Sequence, residues 1–308
     1  MENKLHASFS PHIHSNNSTM RTMLDVIIAL VPASIAAVIL FGIPALLVIA
    51  VCVITAVAGE AIFNLIIKKE QTVGDLSAVV TGLILALNLP SNIPLWQAAV
   101  GSLFAIIIVK GIFGGLGKNI VNPAIAARVF MLIAFGSMTA AVFPEGMDSA
   151  SGATPLSDLA NDKAVDLMDL FLGKCGGALG ETCALALLIG GIYLIARKVI
   201  TWQIPVAFIA TTFLFTLALE EGNVETALAW VLSGGLMIGA FFMATDYVTS
   251  PSTAKGKLIF GIGAGVITVL VRFFGGYPEG VSFAILLMNI VNPYIDSLTQ
   301  RKLFGGKK

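Results

Sequence analysis

Ten apolar runs dominate this chain, and any fold it adopts has to place them. They lie near 23–42, 44–67, 74–90, 94–113, 122–143, 177–196, 201–219, 226–245, 257–275 and 281–299. A helix needs about 20 mostly apolar residues to cross a bilayer, and most of the runs meet that length. The third is short and ends in "LNLPSNIP", the pattern of a half-span or broken helix. Charged residues make up only 12% of the chain and mean hydropathy is +0.92, whereas a soluble domain carries about 25% charge. The expected fold is therefore an all-α polytopic membrane protein of about ten transmembrane helices in the lipid bilayer. The first run follows a polar segment, contains Asp25 and precedes no small-x-small site, so no cleavable signal is expected.

Loop charges orient the spans, because basic residues stay on the cytoplasmic side. Lys4, Arg21, Lys68, Lys69, Lys110, Lys118, Arg197, Lys198, Lys255, Lys257 and the four basic residues of the tail all fall on one side. The other side receives Glu145, Asp148, Asp158, Asp162, Asp166, Asp169, Glu220, Glu221, Glu225 and Glu279. The expected layout is a cytoplasmic tail at 1–22, a five-span unit at 23–143 and an extracytoplasmic loop at 144–176. A second five-span unit at 177–299 and a basic cytoplasmic tail at 300–308 complete it. Both termini are then cytoplasmic.

The two units share pieces. "NIVNP" occurs at 119–123 and at 289–293, each after a glycine-rich stretch, "FGGLGK" (113–118) and "FGGYPEG" (274–280). "TGLILAL" (81–87) loosely echoes "GGLMIGAF" (234–241). Five spans per unit would insert the second copy upside down, and inverted repeats with interrupted helices place sites near the midplane. Asn-Pro suits such an interruption, with Pro123 or Pro293 in a first helical turn and Asn122 or Asn292 as its cap. A plain proline kink is the other reading of either copy.

Elimination narrows the chemistry. His6, His12 and His14 all lie in the first tail, so no span offers a histidine pair to haem. Three cysteines (Cys52, Cys175, Cys183) cannot complete a four-cysteine iron–sulfur site, although an outer disulfide between Cys175 and Cys183 stays open. No P-loop or dinucleotide fingerprint occurs, and nothing points to a nucleic-acid partner. Any electron carrier held by this chain must be organic.

The segment D-x-x-S-G-A-T, with Asp148, Ser151, Gly152, Ala153 and Thr154, matches the flavinylation motif. At that motif a flavin transferase joins FMN through its phosphate to the threonine hydroxyl. The chemistry needs a hydroxyl on a segment slender enough to enter another enzyme, which the small residues before Thr154 provide. The competing reading is a helix start, with Thr154 as N-cap, Pro155 in the first turn and Asp158 behind it.

Four ordered stretches resemble one family: "SPHIHSNNSTMRTMLDVIIALVPA" (10–33), "GKNIVNPAIAARVF" (117–130), "SGATPL" (151–156) and "GYPEGVSFAILLMNIVNPYID" (276–296). They are similar to the D subunit of the Rnf electron-transport complex and to the homologous B subunit of the sodium-pumping NADH:quinone reductase. The short N-terminal tail favours the Rnf protein, and His14 departs from an expected arginine. The resemblance implies a component of an ion-translocating ferredoxin:NAD oxidoreductase in the cell (inner) membrane, with the A, B, C, E and G subunits of the Rnf complex as partners. It implies covalent FMN at Thr154, installed by a flavin transferase, and a non-covalent riboflavin in the bundle. Asn122 and Asn292 are the first candidates for that second flavin's polar contacts. A channel or secondary transporter of inverted repeats, or a scaffold, is the rival without flavin.

Asp25, Glu60, Arg128, Glu181, Asp246, Arg272 and Asp296 fall in or at the ends of spans. A centred charge costs about 2.5–3.5 kcal/mol on insertion scales, so each needs a partner or water. Glu60 is the most central and is the candidate ion-linked carboxylate. Its structural alternative is a salt bridge to Arg128 or to a neighbouring subunit. Asp25, Asp246 and Asp296, near cytoplasmic ends, are expected to be hydrated or paired with basic loops.

Overall fold

The computed structural model describes residues 18–136, 142–144, 154–161, 163, 165–275 and 279–300. Among these residues every regular element is helical. Asp148, Ser151, Gly152 and Ala153 of the motif lie outside them, as do the three histidines and the basic tail.

The first element, α1 (Thr19–Ile67), contains both of the first two runs. At 1.5 Å per residue its 49 residues would reach about 74 Å, more than twice a hydrocarbon core of about 30 Å. Gly42 resolves this by leaving helical geometry, with φ 66° and ψ −150°. Only glycine takes that conformation without strain, and Pro44 follows to stop the ladder from healing. The break divides α1 into two helical stretches, each close to the length of one span. Outward residues on α1 such as Ile39, Ile43 and Ile66 are more than 70% exposed, as a lipid-facing surface should be.

The short α2 (Ser77–Leu87) is buried along most of its length. Next, α3 (Leu95–Leu103) runs into a π-helical segment, Phe104–Gly111, and α4 (Pro123–Ala134) starts after a glycine loop. Two short helices, α5 (Pro155–Ala160) and α6 (Leu167–Leu172), follow in the expected outer loop. The second unit comprises α7 (Ala184–Ala196), α8 (Gln203–Leu219), α9 (Val224–Leu232), α10 (Leu236–Ile238, continuing as π-helix Gly239–Met243), α11 (Ala254–Phe274) and α12 (Val281–Thr299). Besides α1, two described helices are long and apolar enough to cross a bilayer alone, α11 and α12. The pair α9–α10, bent by 66° at Ser233-Gly234-Gly235, makes a further broken span.

Small residues let the helices meet, as packing in lipid requires. A Cβ at Gly82 of α2 would lie 2.8 Å from the Cys52 carbonyl oxygen of α1. One at Gly261 of α11 would lie 2.8 Å from the Ala207 Cβ of α8. The main core then gathers Leu30, Leu85, Leu87, Ile125, Met131, Leu187, Phe208 and Phe260, all nearly inaccessible.

Two expectations about the helices are corrected. The sixth run does not begin a helix at 177, since α7 starts at Ala184. Gly176, Gly177 and Gly180 favour a loop, and its N–H groups cross to other segments. Leu179 N donates to Leu89 O (3.0 Å) and Gly180 N to Leu87 O (2.6 Å). The loop thus satisfies the carbonyl end of α2.

The second correction concerns Asn-Pro. Asn122 does cap α4, its Oδ1 accepting from Ala124 N (3.0 Å) and Ile125 N (3.4 Å), with Pro123 in the first turn. Pro293, however, sits inside α12, and Asn292 caps nothing. The first copy follows Gly114, Gly115 and Gly117, all at positive φ, so a helix has to restart there. The second follows the uninterrupted run "VSFAILLM", which has already committed the backbone to a helix before Pro293 arrives.

Candidate functional site

Thr154 stands at the start of α5, half-buried, with its hydroxyl accepting from Ser157 N at 3.3 Å. The helix-start reading of this residue is therefore present, and Asp158 lies in the first turn. A separate apolar cluster of Leu156, Leu159, Leu170, Cys175, Ala229 and Trp230 fastens α5 and α6 to α9. That anchoring holds Thr154 at the edge of a small cleft, whose walls include Leu170, Cys175, Glu181, Ser233, Gly234 and Glu279. The long cap bond leaves the hydroxyl weakly held, and the cleft gives it an open side. The charged side chains on its wall, Glu181 and Glu279, are acidic, so an anionic group on Thr154 Oγ1 has to project away from them.

Beneath the cleft lies a charge cluster. Arg128, 3% exposed, donates from Nη2 to Glu181 Oε1 (2.6 Å) and to Glu279 Oε2, and from Nη1 to Asn88 Oδ1. Arg272 donates to the carbonyls of Trp230 (2.5 Å), Ser233 (2.9 Å) and Gly234 (3.3 Å), so it ties down the break between α9 and α10. Burial pushes the Glu279 carboxyl up to about 7; Arg128 opposes the rise and the Glu181 charge adds to it. Although 26% of the Glu279 side chain is exposed, the neighbouring carboxylate argues for the same upward direction. A raised folded value favours the protonated, folded form, so this contribution is full below about 4.5 and is lost as pH rises through about 7. Thermal unfolding of the solubilised protein between pH 4.5 and 8 should show this loss in the wild type, and Glu279→Gln should remove that component of the slope.

Cys175 and Cys183 are free thiols. Their sulfurs face carbonyls, Thr182 O (3.7 Å) and Phe171 O (3.9 Å) respectively. Burial pushes the Cys175 thiol up to about 12, so it is a packing residue rather than a nucleophile.

A second, slot-like cavity lies between the N-terminal part of α1, α2, the two π-helical segments and the loop before α4. Its walls include Val26, Val80, Ile84, Phe241 and Phe242, with Lys110, Asn119, Asn122, Thr245 and Asp246 as polar positions. Its walls are apolar with a few convergent polar groups, but its own volume of about 80 Å³ is below the roughly 300 Å³ of a small ligand pocket, so a planar organic ligand would also have to occupy the space beside it. It opens beside a wider polar vestibule of about 680 Å³ that carries Arg21, Asp25, Arg197 and Lys198.

Asn122 reaches this slot with its side chain already committed, since Nδ2 donates to Met243 O (3.2 Å) while Oδ1 caps α4. Its backbone N–H meets the Asn289 amide oxygen at 3.1 Å once that amide is oriented to match donors with acceptors. The two NIVNP segments therefore touch. Asn292 does not line the slot, and its buried Oδ1 has no partner among the described residues.

Glu60 is 5% exposed and pairs with Lys110, not with Arg128. Its Oε1 accepts from Lys110 Nζ (2.8 Å) and from Thr72 Oγ1 (2.8 Å). Lys110 also donates to Ser77 Oγ (2.6 Å). Sequence reasoning placed Lys110 in a loop. The π-helical turn instead carries the helix through it and buries the ammonium. One signal existed, a single lysine at the end of an unbroken apolar run, which demands a partner. Of the three remaining aspartates, Asp25 has the expected basic partner, whereas Asp246 and Asp296 are held by hydroxyl and backbone donors instead. Asp25 pairs with Arg197 (3.4 Å), Asp246 accepts from Thr249 Oγ1 (3.0 Å) and Asp296 from Ser252 N and Oγ (3.0 Å).

The family model described as NQR2, RnfD, RnfE matches residues 6–305. The D subunit of the Na(+)-translocating ferredoxin:NAD(+) oxidoreductase complex of Acetobacterium woodii is 48% identical, the match covering 100% of this chain and 97% of that one. The D subunit of the proton-translocating ferredoxin:NAD(+) oxidoreductase complex of Clostridium ljungdahlii is 42% identical, over 98% and 96%. The D subunit of the ion-translocating oxidoreductase complex of Ectopseudomonas mendocina is 36% identical, over 97% and 95%. With apolar helices, a broken span and end-to-end similarity of this kind, the chain belongs to the NQR2, RnfD, RnfE family of membrane proteins.

Proposed function

We propose that this chain is the D subunit of an ion-translocating ferredoxin:NAD oxidoreductase, carrying FMN as a phosphoester on Thr154. The observation that carries the reading is Thr154 itself, a weakly capped hydroxyl at the open edge of a cleft, preceded by the small residues of the transferase motif. Bound there, the flavin supplies one-electron chemistry. The chain's own residues anchor it, through α5 and its apolar cluster, and set the local charge through Glu181, Glu279 and Arg128.

The slot between the two units, together with the vestibule beside it, is the place for a second, non-covalent flavin such as riboflavin in this reading, with Lys110, Asn119 and Thr245 among its polar positions. Glu60 is the ion-linked carboxylate in this reading, and the ten-span inverted repeat is the frame around both sites. The breaks at Gly42, at Ser233–Gly235 and before Pro123 support that frame. The other Rnf subunits pass electrons from cytoplasmic ferredoxin outward to Thr154 and back to NAD.

Sidedness tests this path. In a variant lacking Cys52, Cys175 and Cys183, a cysteine replacing exposed Asn161 should react with an impermeant thiol reagent added outside intact cells. One replacing exposed Lys69 should react only after permeabilisation. The opposite pattern would put Thr154 on the ferredoxin side and remove the need for a transmembrane electron path.

A further inference from the structure

Among the described residues that line the slot, Lys110 is the one whose side chain is bonded to Glu60. Its ammonium has three protons, and two are used, on Glu60 Oε1 and Ser77 Oγ. No bond of the third is seen among the described residues, and Lys110 lines the slot. On the other side, Glu60 keeps Oε2 buried with no partner among the described residues, so its carboxylate is only half satisfied in a place that penalises bare charge. Asn64 Nδ2 donates to Thr72 Oγ1 (3.0 Å) and so steadies the hydroxyl that in turn donates to Glu60. Ser77 Oγ donates to Asp75, the nearest further carboxylate, and Asp246 lies on the wall of the slot.

We propose that Lys110 is a counter-cation shared between Glu60 and the occupant of the slot, so that an electron arriving in the slot opens a monovalent-cation site at Glu60. The proposal rests on the reading of the slot as a flavin site. Negative charge in the slot draws the ammonium along its flexible four-carbon stem. The position it leaves, between Glu60 Oε1 and Ser77 Oγ, is lined by hard oxygen donors that suit a small hard cation. Thr72 Oγ1 and the unpartnered Glu60 Oε2 complete the set.

The balance is simple. One electron, supplied by reduced ferredoxin through the complex, enters the slot, and one Na⁺ or H⁺ enters beside Glu60. Lys110 keeps its proton throughout, and the net charge of the buried region does not change. When the electron leaves towards NAD, Lys110 returns to Glu60 and displaces the cation. Lys110 acts here as a positioning residue, coupling two sites by alternating its contact.

The test is an anaerobic redox titration of the non-covalent flavin in the purified complex, followed by absorbance. One arm varies Na⁺ at fixed pH, and the other varies pH in sodium-free choline buffer. In one of the arms the wild-type potential should rise by nearly 59 mV per tenfold increase in cation, the value for one cation per electron. That arm identifies the ion. Lys110→Met and Glu60→Gln should each flatten the dependence, and Lys110→Met should also lower the potential. The double variant, which leaves no unpaired buried charge, should assemble and be equally flat. A wild-type slope retained in Lys110→Met or in the double variant would overturn the relay, as would a wild-type potential flat in both arms. Absence of acid-extractable flavin would overturn the reading of the slot and the relay with it, whereas a bound flavin with a cation-independent potential overturns the relay alone.

Discussion

Thr154→Ala, in an otherwise intact complex, should lose ferredoxin-to-NAD electron transfer and ion transport together. Alanine keeps the backbone course and Pro155 keeps the first turn of α5, so the lost cap costs only about 1 kcal/mol. The apolar cluster of Leu156, Leu159, Leu170 and Trp230 continues to hold the segment. Assembly, checked by co-purification of the other subunits, should therefore be normal. On the proposed function, by contrast, the electron path loses its carrier on the outer face. Moving one charge through 100 mV costs about 2.3 kcal/mol, so an excursion of electrons across the bilayer is useful only if it drives something, and both activities should fall to background. Persistence of both in assembled Thr154→Ala complex would remove this chain from the electron path.

The second large effect is structural. Arg128→Met should destabilise the protein by about 3–5 kcal/mol, the cost of breaking a buried ion pair from one side. Arg128 stands between Glu181, on the loop before α7, and Glu279, on the loop before α12, and also holds Asn88 at the end of α2. Without it two carboxylates face one another next to a buried amide. The expected readout is a large fall in the melting temperature of the detergent-solubilised protein. Replacing the whole set, as Arg128→Met with Glu181→Gln and Glu279→Gln, should recover most of the loss, because no charge is then left bare. An Arg128→Met protein as stable as wild type would mean that the cluster is wetter than its burial implies.

The sequence carried the membrane class because apolar length is a direct physical requirement of lipid. Gly42 followed by Pro44 marks the break between the first two runs in local chemistry alone. What stayed hidden depends on distant partners. The loop at 177–183 is not helical because its N–H groups find the carbonyls of Leu87 and Leu89, ninety or more residues away in the chain. Asn-Pro reads identically at 122–123 and 292–293, yet only the copy behind positive-φ glycines restarts a helix. Glu60 stood out as a central carboxylate, but its partner did not, since a π-helical turn aims Lys110 inward where a loop was expected. The proposed chemistry of Thr154 was readable for the opposite reason: it rests on a motif of adjacent residues.

The most direct test of that chemistry is the mass of the chain itself. Purified from cells that co-express the flavin transferase, the wild-type protein should exceed its sequence mass by FMN less one water. The extra mass should fall on the peptide containing Thr154, and Thr154→Ala should have none. A wild-type chain at its bare sequence mass under those conditions would contradict the account at its centre.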